Sequence, residues 1–402
     1  MSQRLPLIFI LMTLVIDAMG IGLVIPVMPD LIQEVDGGTL AHAAIWGGIL
    51  STSFAFMQFL CGPLLGSLSD RFGRRPVLLV SLGVMSLDYL VIAMAGSVWV
   101  LLAGRIVGGI AASTQSTATA FIADISSPEE KAARFGLVGA SFGLGFVLGP
   151  ILGGILAEWG TRAPFYAAAA LAALNLCFGY FILPETVTDR IRRPFAWRRA
   201  NPLGALLDIG RMPGVTRLVA MFFLYQVAFF VYPAIWAYFA KARFGWDPRM
   251  IGLSLAAFGI ALAIVQAGLI RLILRYLGDR GTVIYGLVFN AFAFVVLAFV
   301  ADGTIALILT PLAALGAVVT PALQGLMSRA IPDNAQGGLQ GLLTSAGALA
   351  MIVSPLIMTQ VFWLFTGKGA PVYLPGAPFL LSMALMGVCA VVFMGRRSAV
   401  TP

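Results

Sequence analysis

Three ionisable residues, Asp17, Asp88 and Arg105, lie inside long apolar runs of this chain. At the centre of a bilayer such a group costs at least ~2.5–3.5 kcal/mol, so it faces a cavity or a partner and is a functional residue by default. A guanidinium keeps its charge and presents five donors. Arg105 can therefore hold a carboxylate, and Asp17, the deepest acid, is its natural partner. Asp88, in the third run, is expected nearer an end, as a second candidate or a structural acid. Nearby positive charge favours the ionised carboxyl and desolvation the neutral one. A helix movement that parts acid from base therefore exchanges a proton, and ion coupling is the chemistry these residues can do. The plainer alternative is a structural Arg–Asp pair between helices.

A second charged set occupies Gly66-Ser-Leu-Ser-Asp70-Arg71-Phe-Gly73-Arg74-Arg75-Pro76, between apolar runs near 43–65 and 77–96. Its three arginines mark a cytoplasmic loop. Gly66 and Gly73 permit tight turning and close helix approach, and Asp70 is placed to pair with Arg74 or sit at a helix end. Together they suggest a gate and not topology alone. Asp124 closes the fourth run and Arg134 opens the fifth.

Polar side chains at mid-run depth are candidates for contact with a polar ligand: Gln58, Gln115, Gln266, Asn290 and Gln324, with Tyr225 and Gln226 in an aromatic seventh run. Gln115 shares a helical face with Arg105, Gly108 and Ala112. Trp236 and Tyr238, near the end of that seventh run, read as an interfacial belt. In the fifth run Gly145, Gly149 and Gly153 recur every four residues, with Gly154 beside them. They clear a stripe for another backbone, and Pro150 marks a kink.

The elements carrying these residues are membrane spans. The chain has 402 residues, 60% of them hydrophobic and 10% charged, which excludes a soluble domain. Runs of ~20 apolar residues suffice to cross a bilayer. Twelve are expected, near 5–28, 43–66, 77–96, 98–123, 135–157, 163–184, 214–240, 249–271, 282–300, 303–327, 337–362 and 376–395. An even count puts both termini on one side, and Arg4, Arg396 and Arg397 assign it to the cytoplasm. A basic linker at 185–213 separates six-span halves at 1–184 and 214–402. The halves repeat weakly at an offset of 205: Gly73 maps to Gly278, Arg75 to Arg280 and Pro150 to Pro355, whereas Asp70 maps to Arg275. Such repeats place a substrate site between halves that rock about it. The net charge of +8 sits mostly in expected cytoplasmic loops, with no basic stripe for a nucleic acid. Three scattered cysteines and one histidine build neither a disulfide framework nor a metal cluster.

The 66–76 loop resembles the loop between the second and third helices of major facilitator superfamily transporters. Asp17–Leu23, Ser86–Leu90, Gly139–Gly145, Arg243–Trp246, Pro321–Gly325 and Gln336–Leu343 resemble the tetracycline/proton antiporters of that superfamily. The resemblance implies an all-α fold of twelve helices in two pseudo-symmetric halves in a bacterial inner membrane. It implies proton-coupled drug efflux by alternating access, with tetracycline as substrate. No cofactor is implied beyond the proton gradient, although the drug can travel as a divalent-cation complex. Leu101–Gly109 is similar to the superfamily's proton-coupling motif around Arg105, and the fifth-run glycines with Pro150 to its antiporter motif. Asp70, Arg74 and Asp124 would form a charge cluster latching the start of the eleventh helix near Gln336–Gln340. One departure matters. The best-known classes carry an eighth-helix histidine and a ninth-helix aspartate, and the positions here are Leu262 and Asn290. Export or import of another drug, a sugar or a small metabolite is the alternative; a membrane enzyme or receptor is disfavoured for want of any cofactor motif or nucleophile–base pair.

Overall fold

The computed structural model describes residues 4–112, 114–188, 201, 215–332 and 335–395. The arginines at 190, 192, 193, 198, 199 and 211, which define the basic linker, lie outside the described residues, as do Arg396, Arg397 and the side chains of Arg4 and Gln115.

The described chain is helical throughout. In order come α1 (Arg4–Val24), α2 (Met28–Asp36), α3 (Leu40–Phe72), α4 (Arg74–Ala93), α5 (Val98–Ala111), α6 (Thr114–Ile125), α7 (Pro128–Leu156) and α8 (Ala163–Ile182). After the linker come α9 (Thr216–Phe229), α10 (Val231–Phe244), α11 (Pro248–Ile264), α12 (Ile270–Phe299), α13 (Gly303–Ala313), α14 (Val319–Arg329), α15 (Gln336–Thr366) and α16 (Ala377–Met394). Among the described residues, eleven stretches are long and apolar enough to cross a membrane, the longest being the 52 residues Pro248–Phe299. At 1.5 Å per residue that stretch is ~78 Å long, more than twice the ~30 Å hydrocarbon core. Gly278, at φ 63° and ψ 177°, breaks it into two crossings. The described residues therefore make twelve crossings.

Backbone breaks recur at the offset expected of a repeat. Gly73, between α3 and α4, and Gly278 both adopt positive φ. The fourth crossing breaks at Ala112, between α5 and α6, and the tenth at Ala317, between α13 and α14. Both breaks expose carbonyls that a helix would otherwise satisfy, and in each a side-chain amide answers them. Gln58 Nε2 donates to Ala112 O at 2.9 Å. Asn290 Nδ2 donates to Gly316 O at 2.7 Å and to Gly286 O at 2.8 Å.

Packing groups the chain into two compact units: Met1–Gly38 with Ser53–Pro202 and Asp247–Ala256, and Thr39–Thr52 with Leu203–Trp246 and Ala257–Pro402. In the first, α7 lies along α1, and the first turns of α11 lie on α7, where Gly252 abuts Pro150 O and Arg249 pairs with Glu158 at 2.9 Å. In the second, Thr52 Oγ1 donates to Ile352 O at 2.8 Å, and Gly47 lies against the Tyr238 hydroxyl. The core of that unit is aromatic: Trp236, Phe239 and Phe294 surround Phe379. Trp236 is 1% exposed and Tyr238 5% exposed. The expected interfacial belt is thus a packed core, because these rings have other helices and not a membrane surface to cover.

Candidate functional site

Arg105 makes its ion pair with Asp88, Nη2 to Oδ2 at 2.8 Å, and not with Asp17. Asp88 is fully buried, and Gly104, immediately before Arg105 on α5, and Gly108, about one turn after it, leave the room its carboxylate occupies. Spacing alone could not choose between the acids. The choice follows from the side on which α4 meets α5, where Asp88 points at two residues without a Cβ. The guanidinium also lies 5.1 Å from the Phe54 ring centroid. Asp88 Oδ1 and Arg105 Nε have no hydrogen-bond partner. This buried pair is an incomplete network, expensive to leave as it is.

Asp17 is half-buried on α1. Its carboxyl faces Thr114, the first residue of α6 beyond the break at Ala112. Tyr89, next to Asp88, lies against Gly20, about one turn from Asp17 on α1, within electrostatic reach of all three. The three expected residues are therefore neighbours, joined through a tyrosine that charge-based reading passed over.

At the 66–76 loop the charges assemble around Arg74. Its Nη1 is 2.5 Å from Asp70 Oδ1, its Nε 3.2 Å from Asp124 Oδ2, and Nη1 also donates to Ser69 Oγ at 2.6 Å. Gly66 takes no part in the turn. Helix α3 runs straight through it to Phe72, a Cβ there would meet nothing within 4 Å, and Gly73 alone makes the turn. Arg71 lies over the Phe72 ring, outside the network. The unexpected member is Glu185. Its carboxylate accepts from the backbone N–H groups of Arg74, Arg75, Thr186 and Val187 at 2.9–3.3 Å. It thereby satisfies two orphan donors at the start of α4, where an anion is also favoured by the helix dipole. Thr186 Oγ1 donates to Asp124 Oδ2 at 3.1 Å, closing the ring. A Leu-Pro-Glu-Thr ending to a span is the sequence signal for it.

The fifth-crossing glycines split between two partners. Gly145, Gly149 and Gly153 meet the α1 backbone at Val15, Met19 and Leu23, whereas Gly154 meets Pro248 and Arg249 at the start of α11.

The polar candidates of the second half have mixed fates. Asn290 is fully buried with its donors committed to backbone carbonyls. Tyr225 is also buried, while Gln226 Oε1 accepts from Thr320 Oγ1 at 3.3 Å. Gln324 and Gln58 are half-buried, and Gln266 is exposed on a π-helical turn, Val265–Leu269. Among the described residues no cluster of three or more His, Cys, Asp or Glu could hold a metal ion.

Residues 10–355 match the model of the Major Facilitator Superfamily. The chain is 42% identical to the class C tetracycline resistance protein of Escherichia coli over 364 residues, covering 90% of this chain and 91% of that protein. It is 37% identical to the class G tetracycline resistance protein of Vibrio anguillarum, covering 94% and 98%. Among solved structures, the human organic anion transporter MFSD10 superposes with a TM-score of 0.71 at 25% identity, over 98% of this chain and 100% of that one. The nucleoside transporter NupG superposes with a TM-score of 0.76 at 13% identity, over 96% and 98%, a likeness of fold alone. A multi-pass helical chain with buried charges, so matched along its length, belongs to the major facilitator superfamily and is a secondary transporter, not an enzyme.

Proposed function

We propose that the protein exports a tetracycline-like drug from the cytoplasm of a bacterium in exchange for protons. The observation that carries this reading is 42% identity to a tetracycline resistance protein over nine-tenths of the chain. The buried set Asp17, Asp88 and Arg105 supports it, because exchange needs a group whose proton affinity differs between two states. In this reading the membrane is the bacterial inner membrane and both termini are cytoplasmic. The halves 1–184 and 214–402 move as the alternating bodies about the linker, and Asp70, Arg74 and Asp124 form the cytoplasmic gate. Tyr225, Gln226 and Gln324 remain candidates for drug contact. Asn290 is better used in holding the broken tenth crossing. The test is drug-dependent proton flux with purified protein in liposomes, using tetracycline and, in parallel, a sugar and a nucleoside. Proton movement with tetracycline alone is the expected result. Flux driven by another solute, with tetracycline inert, would replace the drug with that solute.

A further inference from the structure

Apart from Arg75 Nε at the gate, the unpartnered buried side-chain atoms of the first unit, among the described residues, are Asp88 Oδ1, Arg105 Nε, Thr114 Oγ1, Thr117 Oγ1 and Asn175 Nδ2. They follow one line of helix contacts, from α8 to α1, α1 to α6, α6 to α4 and α4 to α5. Thr13 Oγ1 lies 3.2 Å from Asn175 Oδ1 and 3.1 Å from Phe9 O. Thr13 and Asp17 are one turn apart on the same face of α1. Thr114 faces Asp17 and shares a face of α6 with Thr117. Tyr89, against Gly20, continues the line to Asp88 and Arg105. Toward the gate the line is closed by an apolar cluster containing Phe9, Ile10, Phe121, Ile122, Leu78 and Leu183. The last three lie within four residues of Asp124, Arg74 and Glu185. The seam is thus polar inside and sealed from the charged loop.

Buried polar atoms without protein partners are satisfied by ordered water, which makes about three hydrogen bonds at such a site. We propose that this seam binds a file of ordered water joining Asp17 to Asn175, and that Asn175 is a positioning residue for proton exchange at Asp17. Around Asp17, α4 presents Tyr89, with Asp88 and its α5 partner Arg105 behind it, and α6 presents Thr114; α7 meets α1 through glycines 145 and 149, against Val15 and Met19. On α8 the polar partner of this stripe is uncharged Asn175, so it acts by orienting water and not by carrying the proton itself. Its role in exchange rests on the proton-coupled reading above; the water file does not.

Two measurements test it. In radiolytic hydroxyl labelling of the protein in liposomes, side chains touching bound water are oxidised despite burial. Tyr89, 4% exposed, should be labelled several-fold faster than Phe121, fully buried in the apolar cluster. The pair Thr114→Val and Asn175→Leu should lower the Tyr89 rate several-fold. Equal labelling of Tyr89 and Phe121, or an unchanged rate in the variant, overturns the water file. In transport, Asn175→Leu should keep drug counterflow but lose about ten-fold of pH-gradient-driven accumulation, and Asn175→Ser should recover part of it. Equal loss of counterflow and accumulation in both variants makes Asn175 a packing residue and overturns its role. If the parent itself accumulates nothing on a pH gradient, proton exchange fails, and labelling alone still decides the water file.

Discussion

Arg74 pairs with Asp124 in the first half, and 205 residues further on Asp279 pairs with Arg329, with acid and base exchanged. The same two places, the start of the third or ninth crossing and the end of the fourth or tenth, are tied in both halves. The tie recurs in both halves with its polarity reversed. What differs is everything around it. The Arg74 pair is mostly buried and surrounded by Asp70, Ser69, Thr186 and Glu185, whereas Arg329 in its counterpart is 61% exposed. The interior repeats the contrast. The fourth crossing meets Asp17 at Thr114, just beyond its break, and carries Arg105 two turns before it, whereas the tenth meets neutral Asn290 at Gly316. One backbone plan is loaded with buried charge in one half and with a neutral amide in the other, so the proposed antiport would draw its proton chemistry from the first.

Asp17→Asn breaks this comparison most sharply. Gradient-driven accumulation in inverted vesicles should fall at least ~100-fold, the scale of losing a proton-transfer group, while counterflow survives. Parental accumulation in Asp17→Asn would move coupling to Asp88. Next, Asp88→Asn leaves Arg105 buried and unpaired, at a cost of about 3–5 kcal/mol, visible as a lower unfolding midpoint in detergent. Replacing both residues by leucine should restore the midpoint and not transport.

The ion-pair ties are sharpened by reversal. Exchanging Arg74 and Asp124 in a double variant should preserve folding and reduce transport about ten-fold or more, because Asp70 and Ser69 are then misplaced around the charge. The same exchange of Asp279 and Arg329 should be nearly neutral, as exposed pairs are worth at most ~1 kcal/mol. Equal losses from both exchanges would remove the asymmetry. In the second half, Asn290→Asp removes donors from Gly286 O and Gly316 O. It should lower stability by about 1–3 kcal/mol, measured by thermal unfolding, without being required for coupling.

The smallest effect concerns Glu34, outside the spans. The Thr161 hydroxyl, and then Arg162, hold its carboxyl below the ordinary range. A depressed carboxyl contributes stability above its unfolded value, near 4.3, that is lost as pH falls through its folded value. Since Glu34 is exposed, Glu34→Gln should flatten the acid limb of a stability profile by no more than a few tenths of a kcal/mol.

The crossings were legible because hydropathy and length alone decide them, and Gly278 announced its break through its own residue type. Ala112 and Ala317 did not, since nothing in an alanine marks a helix end. The Arg105 partner was misread because two acids were equally compatible with the spacing and only the α4–α5 contact separates them. Asn175 escaped notice as a single amide in an alanine- and leucine-rich run; its meaning comes from Thr13, 162 residues away. Glu185 looked like the first residue of a linker, although its carboxylate belongs to a helix beginning 111 residues earlier.

That last contact has a mechanical consequence. A tether transmits tension from the point where it is anchored, and here the anchor is not the end of α8 at Ile182 but the clasp of Glu185 and Thr186 on α4 and Asp124. Chain inserted after Val187 should add slack without loosening the proposed gate, whereas Glu185→Ala should uncouple α4 from whatever follows. The clasp turns the start of a connecting segment into a fixed bearing for the loop it holds.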